Sequence, residues 1–259
     1  MILTLGFSTL GNGPETILVL HDWFSDQTSY DSIRPYLNTG LYKFVFIDLR
    51  GYGKSKSIYG ACTLEEAAKD IVTIADNLGV DKFHLVGHSM GGQIVQYIPI
   101  EAPGRVKSIA AICPVPACGT PIPDDVLEHL TTVAKGDMAH GKAIVDFMTQ
   151  NRYHNWFSER KTLHWFSCST PQARIAYLRM FCETDISALV KGIDIPTLVV
   201  CGDYDAAAYS FQRIEQTILK DFKNTQTVCL PSGHYPMEEC PIILAATLDR
   251  FWGNINLRN

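Results

Sequence analysis

Gly87-His88-Ser89-Met90-Gly91 sets a serine between two glycines in the pattern G-x-S-x-G. At average glycine and serine usage of roughly 7%, about one random chain in ten of this length would contain such a match, so its context has to carry the reading. That context is an apolar run, Phe83 to Val86, directly before it and a helix-like segment from Gly91-Gly92-Gln93 after it. A sharp strand-to-helix turn exposes a serine hydroxyl at the strand's end and leaves no room for a Cβ at the flanking positions. The hydroxyl is a weak nucleophile at neutral pH and needs a base, itself oriented by a carboxylate. Two downstream segments offer them. Pro196 to Cys201 runs into Gly202-Asp203-Tyr204-Asp205, and Thr227 to Leu230 runs into Pro231-Ser232-Gly233-His234. Ser89, Asp205 and His234 then lie at the carboxyl ends of three strands, in the chain order expected for such an elbow, with Asp203 as the competing acid.

The elements that must position these residues follow from hydrophobic patterning. Ile17–Leu20, Phe44–Ile47, Phe83–Val86, Val106–Ile112, Leu198–Cys201 and Thr227–Leu230 are short and nearly continuous in apolar or β-branched residues, as strands buried on both faces of a parallel sheet are. Thr63-Leu64-Glu65-Glu66 has the form of a capping box, and Leu64, Ala67, Ile71, Ile74 and Leu78 follow at helical spacing up to Gly79. The alternation predicts an α/β fold.

It fails between Cys118 and Val190. There, Val126–Ala134, Lys142–Met148 and Gln172–Phe181 have helical period, and large side chains are dense. The expected organisation is a sheet domain built from residues 1–117 and 191–259, with residues 118–190 as an inserted helical cap. Trp156, Phe157, Trp165 and Phe166 are the candidates for lining a substrate pocket beneath it.

Composition narrows the function classes. The 259 residues are 46% hydrophobic, enough for one sizeable core, and carry a formal net charge of -5 with both signs mixed along the chain. Nucleic-acid binding is therefore not expected. No run approaches the ~18 apolar residues of a membrane span. The N-terminal residues lack the pattern of a signal peptide, so a cytoplasmic protein is expected. The eight scattered cysteines read as free thiols packed in a core rather than as a disulfide framework. No C-x-x-C, H-E-x-x-H or H-x-H spacing supports a metal.

Taken together the chain resembles the α/β-hydrolase superfamily, in particular its carboxylesterase-like members with a helical cap. The resemblance covers almost the whole length. Besides Gly87 to Gly92, it rests on Leu20-His21, Asp48-Leu49-Arg50-Gly51-Tyr52-Gly53-Lys54-Ser55, Pro196 to Asp205, and Gly233-His234 with Glu238 and Pro241 behind. It implies a mostly parallel central sheet flanked by helices, a Ser89–His234–Asp205 triad, and no cofactor. The backbone N–H groups of Met90 and Trp23 are the implied oxyanion donors. His21 is expected to brace the oxyanion loop, His88 to pack under the elbow, and Asp48 and Arg50 to act as scaffold.

Two positions depart from the family pattern. Asp22 stands where glycine is usual, and Ala206-Ala207-Ala208 follows the proposed acid. The expected function is cleavage of a carboxylic ester, or a related acyl bond, of a small to medium hydrophobic substrate through an acyl-enzyme. C–C, lactone and thioester hydrolysis and perhydrolysis use the same constellation. A slow-turnover small-ligand receptor is the rival from outside enzymes, and the sequence leaves the oligomeric state open. Serine at the nucleophile position argues against dehalogenase and epoxide-hydrolase chemistry.

Overall fold

The computed structural model describes residues 4–256. The N-terminal residues 1–3, where the signal-peptide argument begins, lie outside the described residues.

Seven strands form one sheet: β1 (Phe7–Leu10), β2 (Glu15–Leu20), β3 (Tyr42–Ile47), β4 (Phe83–His88), β5 (Val106–Ile112), β6 (Thr197–Gly202) and β7 (Thr225–Leu230), in the spatial order β1-β3-β2-β4-β5-β6-β7. Only β1 is antiparallel to its neighbour, so β2 to β7 end at one edge of the sheet. The six expected strands are all present, each within two residues of its expected start. β1 is absent from the expectation because Phe7-Ser8-Thr9-Leu10 is four residues long and half exposed at the sheet's edge, with no apolar run to mark it. β7 departs from the expected two-sided burial. It is the other edge strand and exposes Gln226 and Cys229 to solvent. Cys229 is therefore a surface thiol rather than core packing, while Cys201 and Cys113 are buried and all eight cysteines are free.

The central strands owe their position to apolar burial on both faces. Ile17 to Leu20 and Phe83 to His88 have no exposed residue. Helix α1 (Leu64–Asn77) lays Leu64, Ala67, Ile71 and Ile74 against the core, as its spacing requires. Its cap is half of a capping box. Thr63 Oγ1 accepts from the Glu66 N–H at 3.2 Å, but the Glu66 carboxylate takes the Cys62 N–H at 2.8 Å and faces Arg50 at 3.5 Å. Arg50 itself grips Asp70 with two bonds of 2.6 and 2.8 Å, a local scaffold contact.

Helix α2 (Met90–Glu101) follows β4 directly. Between β5 and β6 stand four longer helices, α3 (Asp124–Ala134), α4 (Met138–Met148), α5 (Asn155–Cys168) and α6 (Pro171–Glu183), and no strand occurs there among the described residues. Helical period anticipates α3, α4 and α6. It does not anticipate α5, whose large side chains point all ways round: Trp165 is fully buried, Phe157 and Phe166 are half-buried, and Trp156 is 67% exposed. None of the described helices is long and apolar enough to cross a membrane.

Candidate active site

Parallel register brings the chemistry-bearing loops together. Leu20 pairs with Gly87, His88 with Ile112, and Gly202 with Leu230, so the segments that follow β2, β4, β6 and β7 emerge side by side. Ser89 sits on the turn between β4 and α2 at φ 53° and ψ −113°, a conformation that costs a non-glycine residue about 1–3 kcal/mol and must be held by its surroundings. The Ser89 N–H donates to the Ile112 carbonyl at 2.9 Å, and the Ser89 carbonyl accepts from Gly92 and Val115 N–H at 2.9 and 3.0 Å. A Cβ on Gly87 would stand 2.2 Å from the Gly91 carbonyl oxygen. Gly87→Ala is therefore expected to lower stability by about 1–3 kcal/mol, read as a drop in the urea midpoint at unchanged slope.

Ser89, His234 and Asp205 meet. Ser89 Oγ lies 2.9 Å from His234 Nε2, and His234 Nδ1 lies 2.8 Å from Asp205 Oδ2. All three are buried. Asp205 Oδ1 accepts the Ala206 N–H at 2.7 Å, which fixes the carboxylate plane. Asp203 is exposed and makes no such contact. Gly202 lets the two loops close, since a Cβ there would stand 2.2 Å from the Gly233 carbonyl oxygen. The His234 loop is pinned from two sides. Its own N–H donates to the Met148 carbonyl at the end of α4 at 3.0 Å, and Glu239 accepts from Gly233 and Tyr235 N–H at 2.7 and 2.8 Å. Glu239 carries no mark in the sequence apart from following His234 by five residues.

Two other histidines, His21 and His88, support this arrangement. His21 Nδ1 donates to the Asp22 carbonyl at 2.7 Å and Nε2 accepts from the Leu49 N–H at 3.1 Å, which braces the loop after β2. His88 Nε2 donates to the His234 carbonyl at 2.7 Å. Burial pushes the His88 imidazole down to about 3, so it is neutral near pH 7. Asp48 accepts from Gln27 and Lys54, as a scaffold residue does.

A cavity of about 320 Å³ opens over Ser89 and His234. Asp22, Trp23 and Phe24 form one wall, Ile122, Leu130, Ile144, Phe147 and Met148 another, and Phe181, Cys182, Ala206 to Tyr209 and Tyr235 close it. The walls are almost wholly apolar. The side chain of Met90 is fully buried off the cavity, but its backbone N–H heads α2. Among the described residues neither the Met90 nor the Trp23 N–H has a protein acceptor. The Trp23 ring donates to the Arg174 carbonyl at 2.8 Å, and its carbonyl accepts from the Tyr52 hydroxyl at 2.9 Å, which anchors that loop to α6 and to the segment after β3.

The four aromatics expected to line the pocket do not reach it. Trp156 is on the surface, and Phe157 packs on Tyr153 and Tyr235 with centroids 4.9 and 6.1 Å apart. Trp165 stacks on Phe24 at 4.0 Å and on Phe166 at 4.9 Å, one layer behind the wall. The correction has a physical cause. α5 is rotated so that Phe157, Trp165 and Phe166 pack against neighbouring elements and Trp156 faces solvent, while apolar residues of α3 and α4 line the cavity over the serine. Ile144, Phe147 and Met148 stand at spacings of three and four, so helical period is the available signal for them. Tyr209 is a further residue that the sequence does not single out. Its ring lies 4.4 Å from that of His234, in a turn made compact by Ala206 to Ala208.

Two sets of potential metal ligands have donor atoms within 4.8 Å of one another: Cys113, Asp205 and His234, and Asp26, His164 and Cys168. In the first, His234 and Asp205 are bonded to each other. In the second, Asp26 Oδ1 takes the Thr28 N–H and hydroxyl at 2.9 and 2.6 Å. In each set the histidine and the carboxylate are already within hydrogen-bonding distance of each other, His234 with Asp205 at 2.8 Å and His164 with Asp26 at 3.1 Å.

Comparison with known proteins agrees with the fold. A match of 33% identity to the dihydrolipoyllysine-residue acetyltransferase component of the acetoin cleaving system of Cupriavidus necator spans 110 residues, 42% of this chain but only 29% of that longer protein. A non-heme haloperoxidase of Rhodococcus erythropolis is 26% identical over 209 residues, 73% of this chain and 74% of that one. Among solved structures, a thermophilic esterase from Thermogutta terrifontis superposes with a TM-score of 0.82 at 23% identity, covering 97% of this chain and 93% of the other, a likeness of fold. The model of the alpha/beta hydrolase family matches residues 17–247, and the chain belongs to that family.

Proposed function

We propose that the protein is a serine hydrolase that cleaves a carboxylic ester, or a closely related acyl bond, of a small to medium hydrophobic substrate. The observation that carries this reading is the unbroken chain of bonds from Ser89 Oγ through His234 to Asp205, on a strained turn at the floor of an apolar cavity. His234 Nε2 takes the Ser89 proton as Oγ attacks the acyl carbon. The charge that develops on the carbonyl oxygen is met by the N–H groups of Met90 and Trp23. His234 then hands its proton to the leaving alcohol, and an acyl-enzyme remains. Water, deprotonated by the same nitrogen, attacks the acyl carbon and releases the acid with Ser89 restored. Asp205 holds Nδ1–H and offsets the imidazolium charge.

In this reading residues 118–190 act as a cap over the α/β core of residues 1–117 and 191–259, and α3 and α4 set the shape of the acyl or alcohol pocket. The eight free cysteines support a reducing, cytoplasmic setting. A fluorophosphonate should label the wild type at Ser89, and p-nitrophenyl esters should be turned over many times. A stoichiometric burst with tight retention of the ligand would replace the enzyme by a receptor. The two acids separate cleanly. Asp205→Asn should lower kcat by about 10⁴-fold, because the amide selects the wrong tautomer of His234, whereas Asp203→Asn should change it by about twofold or less.

A further inference from the structure

The cavity holds one feature that the hydrolytic reading leaves unused. Asp22 lines it beside Ser89, is 2% exposed, and its Oδ1 has no hydrogen-bond partner. Oδ2 lies 3.9 Å from His88 Nδ1, beyond hydrogen-bonding distance, and that nitrogen is also unpartnered. The two cannot satisfy each other as they stand. His88 Nε2 carries its proton towards the His234 carbonyl, so Nδ1 of the neutral ring is an acceptor facing another acceptor.

None of the neighbouring donors bonds the carboxyl. The Tyr30 hydroxyl donates to the Leu20 carbonyl at 2.9 Å and the Tyr52 hydroxyl to the Trp23 carbonyl at 2.9 Å. Lys161 spends one of its three N–H donors on Glu238 and stands over the Tyr235 ring, with no hydrogen bond to Asp22, and His21 Nδ1 serves the Asp22 backbone rather than its carboxyl. A buried carboxyl left without a donor is costly, and it persists where something else supplies the hydrogen. A second polar atom of a residue lining the cavity, Thr120 Oγ1, is also buried without a partner.

We propose that Asp22 is a specificity-determining residue that accepts a hydrogen bond from a donor group, a hydroxyl or an ammonium, carried by an otherwise apolar substrate. This rests on the cavity being the substrate site of the proposed hydrolase. The substrate class becomes a hydroxylated or amine-bearing hydrophobic ester rather than a plain hydrocarbon one. A site built around an unpaired buried acceptor rejects the analogue that lacks the donor, because binding that analogue leaves the carboxyl unsatisfied.

The test uses direct binding, so that it does not depend on turnover. In the full chain carrying Ser89→Ala, calorimetry compares 3-phenylpropan-1-ol and 3-phenylpropylammonium with 3-phenylpropyl methyl ether, which has the same body and no donor. At least one donor ligand should bind tenfold or more tightly than the ether, and adding Asp22→Ala should bring the ratio to within about threefold. Preference for the ammonium would assign a cationic substrate, and preference for the alcohol, or equal binding of the two, a hydroxylated one. Equal binding of all three ligands, or a preference that survives Asp22→Ala, overturns the proposal. Should Asp22→Ala fail to fold, Asp22→Asn keeps the shape and places an N–H of its own against His88 Nδ1. It should cut the advantage of the favoured donor ligand over the ether by threefold or more, and an undiminished advantage overturns the proposal equally. Failure of the hydrolase reading would look different, as a wild-type protein that neither turns over esters nor reacts with the fluorophosphonate.

Discussion

Ser89→Ala is expected to abolish fluorophosphonate labelling and to lower kcat for p-nitrophenyl esters by about 10⁴-fold or more, with folding unchanged by circular dichroism. The size of the effect follows from the route. Without Oγ no acyl-enzyme forms, and what is then expected to remain is water attacking a carbonyl polarised by the proposed donors, the Met90 and Trp23 N–H groups. His234→Ala should lose a similar amount, because an unassisted hydroxyl is a poor nucleophile. The double variant should lose little more than either alone, since the two residues act as one unit. Relief of the φ 53° strain at position 89 is not expected, because alanine there keeps the same backbone. Substantial esterase activity in purified Ser89→Ala would overturn the mechanism.

Acid is expected to unfold the protein well before its carboxylates as a class are protonated. His84 and His88 are both fully buried, and burial pushes them down to about 4 and about 3. In the unfolded chain each titrates near 6.5, so below that pH the unfolded state binds protons that the folded state refuses. The sign follows: stability is fully present above about pH 6.5 and is lost as the pH falls, through about pH 4 for His84 and on to about pH 3 for His88. At about 1.4 kcal/mol per unit, each histidine removes on the order of 3 kcal/mol by pH 4. Together that is a large share of the 5–15 kcal/mol typical of a domain.

Urea midpoints between pH 7 and pH 4 should fall steeply. The slope should halve in His84→Gln, whose amide can still bond to Ser108, the 2.7 Å partner of His84 Nδ1. A stability that is flat over this range would show that both rings are protonated in the folded protein.

Much of the site is legible in the amino-acid sequence because its constraints are local. Gly87 and Gly91 mark the elbow through steric demand alone, and the apolar runs at 83–86, 198–201 and 227–230 mark the strands that present Ser89, Asp205 and His234. Parallel register does the rest, since strands that share a direction end at a common edge. The choice between Asp203 and Asp205 needs the fold, which turns one carboxylate inward to His234 and the other to solvent. The short edge strand β1 is invisible in the sequence because its ladder partner, β3, lies more than thirty residues away and its own side chains are half exposed.

The pocket is the least legible part. Phe157, Trp165 and Phe166 are rich in buried area, and composition alone makes them natural candidates for a binding site. What decides whether an aromatic faces a cavity or a seam is the rotation of its helix against the sheet, which depends on contacts distant in sequence: Trp165 on Phe24, Arg174 on Trp23, Met148 on the His234 loop. The same holds for Asp22. In the sequence it is a residue standing where the family has glycine. Only the packing around it shows that the residue is buried in the lining of the cavity over Ser89 and that its Oδ1 is left without a hydrogen-bond partner. The sequence by itself therefore determined six of the seven strands, the turn at Ser89 and the candidate side chains presented beside it, with Asp203 and Asp205 both open, because backbone sterics and hydrophobic period act over a few residues. The tertiary structure alone decided which side chains surround the reacting atoms and which polar atoms are left without partners, because both depend on long-range packing.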